Sequence, residues 1–190
     1  MKRLVAGLLT LLLLCGFTFQ APKPNPDPLD LNPVLNAFRF DGVETTVVWR
    51  TCRQLNAFYY PTARRVVLCN ELRRLEPGAI RYILAHELAH GVIMQLDVPY
   101  TTHHEGAADE LAALMLIWMG READVVDGAL FWAGMGRPEN PFDDHFGDWR
   151  RANNLICLVE GSLDDGLVET GCIATYRRAT RAWVKLLHMD

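Results

Sequence analysis

The sequence lacks the features that mark several large classes of protein. Its 190 residues contain no block of basic residues, and a formal net charge of −4 gives no reason to expect nucleic-acid binding. Internal repeats, collagen-like periods and low-complexity tracts are also missing. Hydrophobic residues make up 50% of the chain, which is enough to build a core. We therefore expect one folded domain with no nucleic-acid partner.

Long apolar runs are also scarce, and the clearest one lies at the start of the chain. Lys2 and Arg3 precede an apolar run over residues 4–14, which is too short for a membrane span. The small residue Ala21 follows, and this order is typical of a secretory signal peptide. We predict a signal peptide over residues 1–21 and a secreted or periplasmic mature protein that has no stable membrane span.

The segment after the apolar run carries two further signals. Cys15 leaves lipid anchoring open, but Leu14 stands where a small residue normally precedes a lipidated cysteine. Alternating prolines then block a helix, so residues 22–33 are predicted to form an extended linker. The folded domain is expected over residues 34–190.

Cysteines are few, and none has the C-x-x-C spacing of a structural zinc site. Four lie beyond residue 21, and an even number in an exported chain is typical of disulfide bonds. Three pairings are possible. We favour Cys52–Cys69 and Cys157–Cys172, because each pair is local and flanks a single turn or loop.

The residue pattern predicts a short sheet followed by helices. Residues 44–51 and 65–69 are rich in strand-forming residues, and Pro61 marks a turn between them. We expect these segments to form a small antiparallel sheet. Apolar spacing then predicts a turn at 161–166 and helices near residues 77–96, 104–119, 122–133, 142–159 and 171–187. A sheet followed by helices belongs to the α+β class.

One short motif carries a clear chemical meaning. The segment His86-Glu87-Leu88-Ala89-His90 lies in the first predicted helix, where residues four apart share a face. His86 and His90 can therefore direct both imidazoles at one Zn²⁺ ion. Glu87 beside them can take a proton from an attacking water and pass it to a leaving amine. The motif predicts a zinc metallopeptidase that acts on a peptide or protein substrate.

The third zinc ligand is not part of this motif. An extended form would need glycine at 93 and histidine at 96, where this chain has Ile93 and Leu96. The next predicted helix is a better source, because Glu105 and Asp109 share one face and small residues between them allow close packing. We assign Glu105 to the metal, and Asp109 to a hydrogen bond that fixes the tautomer of His86.

Other ligands stay open at this point. Asp109 is an alternative ligand, because a glutamate in the first turn of a helix is also favoured by the helix dipole alone. His103 and His104, which directly precede Glu105, are further candidates.

These residues resemble a known group of enzymes. The motif from His86 to His90, followed by Glu105 and Asp109, is similar to the gluzincin metallopeptidases, of which thermolysin is the best known. The resemblance implies a zincin-like domain in which the downstream glutamate is the third zinc ligand and the aspartate supports a histidine.

A closer similarity, over nearly the whole mature chain, is to a bacterial domain-of-unknown-function family of metallopeptidases. The cysteines fall at the family's places, which supports the two disulfides. Relatives are expected to carry an acidic residue where this chain has Gly106, but no assigned ligand is lost there. The similar stretches are residues 56–60, 69–72, 86–90, 105–109, 144–145, 154–157 and 171–172.

The same similarity draws attention to His145. In thermolysin-like enzymes a histidine backed by an aspartate donates a hydrogen bond to the oxyanion formed during hydrolysis. His145 is predicted to do this here, oriented by Asp144 or Asp143. The alternative is that both aspartates only cap a helix and complement its dipole. Tyr100 and Arg151 are weaker candidates for the donor.

Two other functions remain open on the sequence alone. An exported protein with this motif could use its zinc site for binding or interaction, with weak or no hydrolysis. A hydrolase acting on another kind of bond is the second alternative, because the motif specifies how water is activated and not which bond is attacked.

Overall fold

The computed structural model describes residue 27 and residues 29–99, 104–136, 147–163 and 170–189. Within this part of the chain, no helix is both long and apolar enough to cross a membrane. Several positions singled out in the sequence lie outside the described residues: the signal peptide over 1–21, residues 22–26 of the linker, Tyr100, His103, Asp143, Asp144 and His145.

A short sheet precedes five long helices, as expected for the predicted α+β class. Helix α1 was not predicted; it begins at the end of the predicted linker, and Pro33 suits its first turn. The elements are α1 (Asn32–Ala37), β1 (Thr46–Arg50), β2 (Ala57–Tyr60), β3 (Arg65–Cys69), a 3₁₀ helix (Asn70–Arg74), α2 (Pro77–Gln95), α3 (His104–Trp118), α4 (Glu122–Met135), α5 (Asp148–Leu163) and α6 (Thr170–Leu186).

The sheet has the strand order β1–β3–β2, so the last strand in the chain is the central one. Strand β2 pairs antiparallel with β3, but β1 pairs with β3 in parallel. The prediction of an antiparallel sheet is therefore wrong for β1. The turn predicted at Pro61 is present over residues 61–64, but the residues just before it form β2, because Phe58, Tyr59 and Tyr60 are aromatic residues that favour strands. This extra strand reverses the chain once more before β3.

Helix α2 lies at the centre of the packing. Its residues from Gly78 to Ile93 are buried almost without a break, so the helix is surrounded on nearly all sides. It packs against α3, α4, β2 and β3. The His-Glu-x-x-His motif therefore lies in the core of the domain and not on an exposed helix.

Two glycines mark places where helices come unusually close. A Cβ atom at Gly128 on α4 would overlap the ring of Tyr82 on α2, and one at Gly161 on α5 would overlap the backbone carbonyl of Cys172 on α6. Residue 161 was predicted to begin a turn, yet α5 continues to Leu163. The prediction is therefore wrong for residues 161–163, because Gly161 permits helix packing; residues 164–166 lie outside the described part of the chain.

Both predicted disulfides are confirmed. Cys52–Cys69 joins the segment after β1 to the end of β3, and Cys157–Cys172 joins α5 to α6. Each bond closes a short loop and so restricts the unfolded chain. One bond therefore stabilises the sheet, and the other stabilises the last helix pair.

Candidate metal centre

His86, Glu87 and His90 lie in the middle of α2 and are buried. One helical turn separates the two histidines, so their rings lie on the same face with centroids 4.6 Å apart. The Nε2 atoms of His86 and His90 are 3.0 Å apart. Two imidazole nitrogens at this distance repel each other unless a proton or another cation lies between them.

Glu105, in the first turn of α3, completes a group of three candidate ligand residues. Its Oε2 lies 3.2 Å from His86 Nε2, and its Oε1 lies 3.3 Å from His90 Nε2. Helices α2 and α3 pack against each other, and the small buried residues Ala107 and Ala108 follow Glu105 on α3. The three residues that the sequence predicted as metal ligands therefore lie together.

The geometry of this group fits a metal ion. His86, His90 and Glu105 offer two nitrogens and one oxygen that can hold one ion. Zinc bonds of about 2.0–2.1 Å in a tetrahedron place neighbouring ligand atoms about 3.3 Å apart, close to the separations found here. The other such group among the described residues contains Cys52 and Cys69, which are already joined in a disulfide.

The charges around the group also favour a cation. Burial opposes protonation of His86, but the carboxylates of Asp109 and Glu105 outweigh it and raise the pKa of the ring to about 10. Burial likewise opposes the charge on Glu105, yet contacts with His86 and His90 hold the pKa of this carboxyl well below its usual range. Positive charge is thus attracted to a place from which burial alone would exclude it.

Glu87 follows His86 in the chain and, together with His86, His90 and Glu105, lines a cavity. Burial raises the pKa of its carboxyl to about 7; the charge of His86 opposes this rise and the charge of Glu105 adds to it. A carboxyl with such a pKa can accept and release a proton near neutral pH.

Asp109 lies one turn after Glu105 and is held by other side chains. The Tyr82 hydroxyl donates to Asp109 Oδ1 over 2.6 Å, while Arg151 donates from Nε to Oδ2 over 2.7 Å and from Nη2 to Oδ1 over 2.8 Å. Asp109 Oδ1 also lies 2.9 Å from His86 Nδ1. Asp109 therefore contacts the other ring nitrogen of His86 and does not belong to the group of three ligand residues.

Sequence reasoning did not find Tyr82, and it considered Arg151 only as a weak candidate for the oxyanion donor. The available signal for Tyr82 was its position four residues before His86 on the same helix. Arg151 comes from α5, 42 residues after Asp109, and it stacks on Trp132 with its guanidinium carbon 3.5 Å from the ring centroid. A contact over such a sequence distance leaves no local pattern.

The three ligand residues open into a cavity of about 440 Å³. His104 also lines this cavity; its ring stacks on that of His90 with centroids 4.5 Å apart, and it does not belong to the group of three. The remaining wall is mainly apolar and aromatic, with a few polar side chains. It is formed by Asn56, Ala57, Phe58, Tyr59, Pro61, Ile83, Met94, Phe131, Trp132 and Arg151.

Fold and site together define a mainly helical domain in which three largely buried residues that could hold a metal ion lie beside a cavity. A family model described as "Putative metallopeptidase" matches residues 74–187, more than half of the chain. The chain therefore belongs to this metallopeptidase family. No curated protein and no solved structure matches the chain. Membership implies a bound metal and supports a peptidase role on peptide or protein substrates.

Proposed function

We propose that this protein is an exported zinc metallopeptidase of the gluzincin type that hydrolyses peptide bonds. One observation carries the proposal. His86 Nε2, His90 Nε2 and the Glu105 carboxylate lie 3.0–3.3 Å from one another, and Glu87 lines the same cavity. Family membership supports the peptidase activity, and the geometry of the residues supports the choice of site.

Zinc is the metal we propose, because two imidazole nitrogens and one carboxylate form a common ligand set of catalytic zinc. A zinc ion held by His86, His90 and Glu105 would supply Lewis acidity, which polarises a peptide carbonyl and makes water more acidic. Asp109 would keep the proton of His86 on Nδ1, so that the Nε2 lone pair stays available as a ligand.

Glu87 acts as the general base and then as the general acid. Its buried carboxyl, with a pKa raised to about 7, takes a proton from the attacking water and later gives it to the leaving amine. The hydrogen-bond donor to the oxyanion stays assigned to His145, oriented by Asp144, as the sequence predicts. Arg151 is less suited to that role, since Asp109 already engages its Nε and Nη2.

Export agrees with the two disulfides, because such bonds form and persist in oxidising compartments. We therefore propose a secreted or periplasmic protein whose first 21 residues are removed as a signal peptide. A lipid anchor at Cys15 is the alternative outcome, and mass spectrometry of the mature N-terminus from a bacterial host distinguishes the two.

The central experiment compares the purified protein with its Glu87→Gln variant. Zinc content is measured in both, and cleavage is assayed on casein and on a peptide library. The expected result is equal zinc in both proteins and loss of cleavage in the variant alone. Glu160→Gln, which removes an exposed carboxylate on α5, is the matched control and should cleave like the parent. Bound zinc without cleavage by the parent would instead favour a binding or interaction protein.

A further inference from the structure

Asp109 is unusually constrained for a residue that only supports a ligand. Its side chain is buried, and both carboxylate oxygens accept hydrogen bonds. Arg151 from α5 holds both oxygens through its planar guanidinium, and this bidentate contact neutralises the carboxylate. The charge of Asp109 therefore does not explain why a second residue, Tyr82, directs its hydroxyl at the same carboxylate.

Tyr82 differs from Arg151 because it lies on the same helix as the metal ligands. It is one helical turn before His86, so both side chains leave α2 on the same face. The Tyr82 hydroxyl and His86 Nδ1 approach the same atom, Asp109 Oδ1, at 2.6 and 2.9 Å. A carboxylate only accepts, so the single hydroxyl proton of Tyr82 must point at this oxygen.

This arrangement fixes α3 relative to α2 at the level of the metal centre. Asp109 and Glu105 are on α3, while Tyr82 and His86 are on α2. A carboxylate held by Tyr82 cannot turn freely about its own side-chain bonds, so its contact with the His86 ring has a defined direction. The opposite ring nitrogen, His86 Nε2, then remains directed at Glu105.

We propose that Tyr82 is a positioning residue of the metal centre, which holds Asp109 Oδ1 in place and through it orients the ring of His86. The inference deepens the proposed function and rests on its metal site at His86, His90 and Glu105. It does not depend on whether the site cleaves peptides.

The packing around Tyr82 supports this role. Its side chain is buried, and α4 passes directly over the ring at Gly128, where a Cβ atom would overlap the ring. A residue whose ring is fixed by a neighbouring backbone can hold its hydroxyl in one place at little further cost in conformational entropy. A larger residue at position 128 thus provides a second way to disturb the hydrogen bond from Tyr82 to Asp109.

The test measures metal binding to the folded protein. Zinc and cobalt(II) affinities are determined by competition with a chromophoric chelator, and the visible spectrum of the cobalt form reports the ligand geometry. Tyr82→Phe keeps the ring and removes the hydroxyl. We expect this variant to bind both metals about 3- to 10-fold more weakly and to change the cobalt spectrum. The loss of affinity is smaller than the roughly 10- to 100-fold typical of losing a direct partner of a ligand.

The matched control is Ser162→Ala, which also removes one hydroxyl hydrogen bond, to the Val159 carbonyl on α5. It should bind both metals like the parent. Gly128→Ala should resemble Tyr82→Phe in its cobalt spectrum, because the added methyl group displaces the ring. Zinc and cobalt binding by Tyr82→Phe at the parental affinity, with the parental spectrum, would overturn the proposal.

A double-mutant cycle separates positioning from general packing. If Tyr82 acts through Asp109, then Tyr82→Phe has no further effect on metal affinity in an Asp109→Ala background, which lacks the oxygen that accepts from the Tyr82 hydroxyl. An equal loss in both backgrounds would show that Tyr82 does not act through Asp109, and would overturn the inference. Metal binding that follows the expected pattern, in a protein that cleaves no peptide, would refute the proposed peptidase and leave the role of Tyr82 intact.

Discussion

Glu105 Oε2 lies 3.2 Å from His86 Nε2, although 19 residues separate the two in the chain. This contact joins the first turn of α3 to the middle of α2 and adds Glu105 to the two histidines, which gives a group of three residues that could hold a metal ion. It depends on the close packing of the two helices.

The first prediction concerns the identity of the third ligand. Glu105→Ala removes a group that we expect to bind the metal directly. It should lower the zinc affinity by more than the roughly 10- to 100-fold expected for Asp109→Asn. Competition with a chelator of known affinity measures both. The reverse order of effects would make Asp109 the ligand instead.

The second prediction concerns metal removal. A metal that binds only the folded state stabilises it by about 4 kcal/mol when its free concentration is about 1,000 times its Kd. Calorimetry of the metal-free protein should therefore show a Tm that rises when zinc is added. The variant His86→Ala/His90→Ala should unfold at the same temperature with and without zinc, and an equal rise in this variant would place the zinc elsewhere.

The third prediction concerns pH and Glu71. The backbone N–H groups of Glu71 itself, Cys52 and Arg53 interact with this carboxylate and lower its pKa from the ordinary value of 4.5; those of Cys52 and Arg53 donate over 3.2 and 2.8 Å. A lowered pKa means that the stabilisation is fully present above 4.5 and is lost as the pH falls through the pKa of the folded state. Glu71→Gln should therefore lower the Tm at neutral pH, and its difference from the parent should shrink in acid.

Thermal unfolding of both proteins across the acidic and neutral range checks this dependence on Glu71. Glu160→Gln serves as the control for removing one negative charge on an exposed face. A difference between Glu71→Gln and the parent that stays constant into strong acid would contradict the prediction.

The fourth prediction concerns the bond between α5 and α6. Cys157 and Cys172 are 15 residues apart, and a loop of about that length corresponds to roughly 3 kcal/mol of stabilisation in the chain-entropy description. Urea unfolding of Cys157→Ala/Cys172→Ala should show a loss of about this size. An unchanged midpoint would mean that helix packing alone fixes the two helices.

Local features of this protein could be predicted from the sequence. His86 and His90 lie four residues apart, so any helix through them places both on one face. The disulfide pairing could also be predicted, because each pair is close in the chain and closes a short loop. The long helices were recognised from apolar spacing, which is likewise a property of neighbouring residues.

Features that depend on distant residues were harder to predict. The parallel pairing of β1 with β3 was not predicted, because it requires the extra strand β2, which lies just before the turn at Pro61. Gly161 suggested a turn, since a helix glycine that permits close packing looks the same in sequence as one that ends a helix. In both cases the deciding contact is made by another element.

The sequence by itself determined that the two histidines share one helix face with the glutamate beside them, and it indicated the pairing of the cysteines. Each of these features depends on spacing along one segment. Only the tertiary structure decided how Glu105 and Asp109 divide between the two ring nitrogens of His86, and that Tyr82 and Arg151 hold Asp109. The physical reason is that these contacts depend on the distance between α2, α3 and α5, which is set by the packing of small and buried residues far apart in the chain.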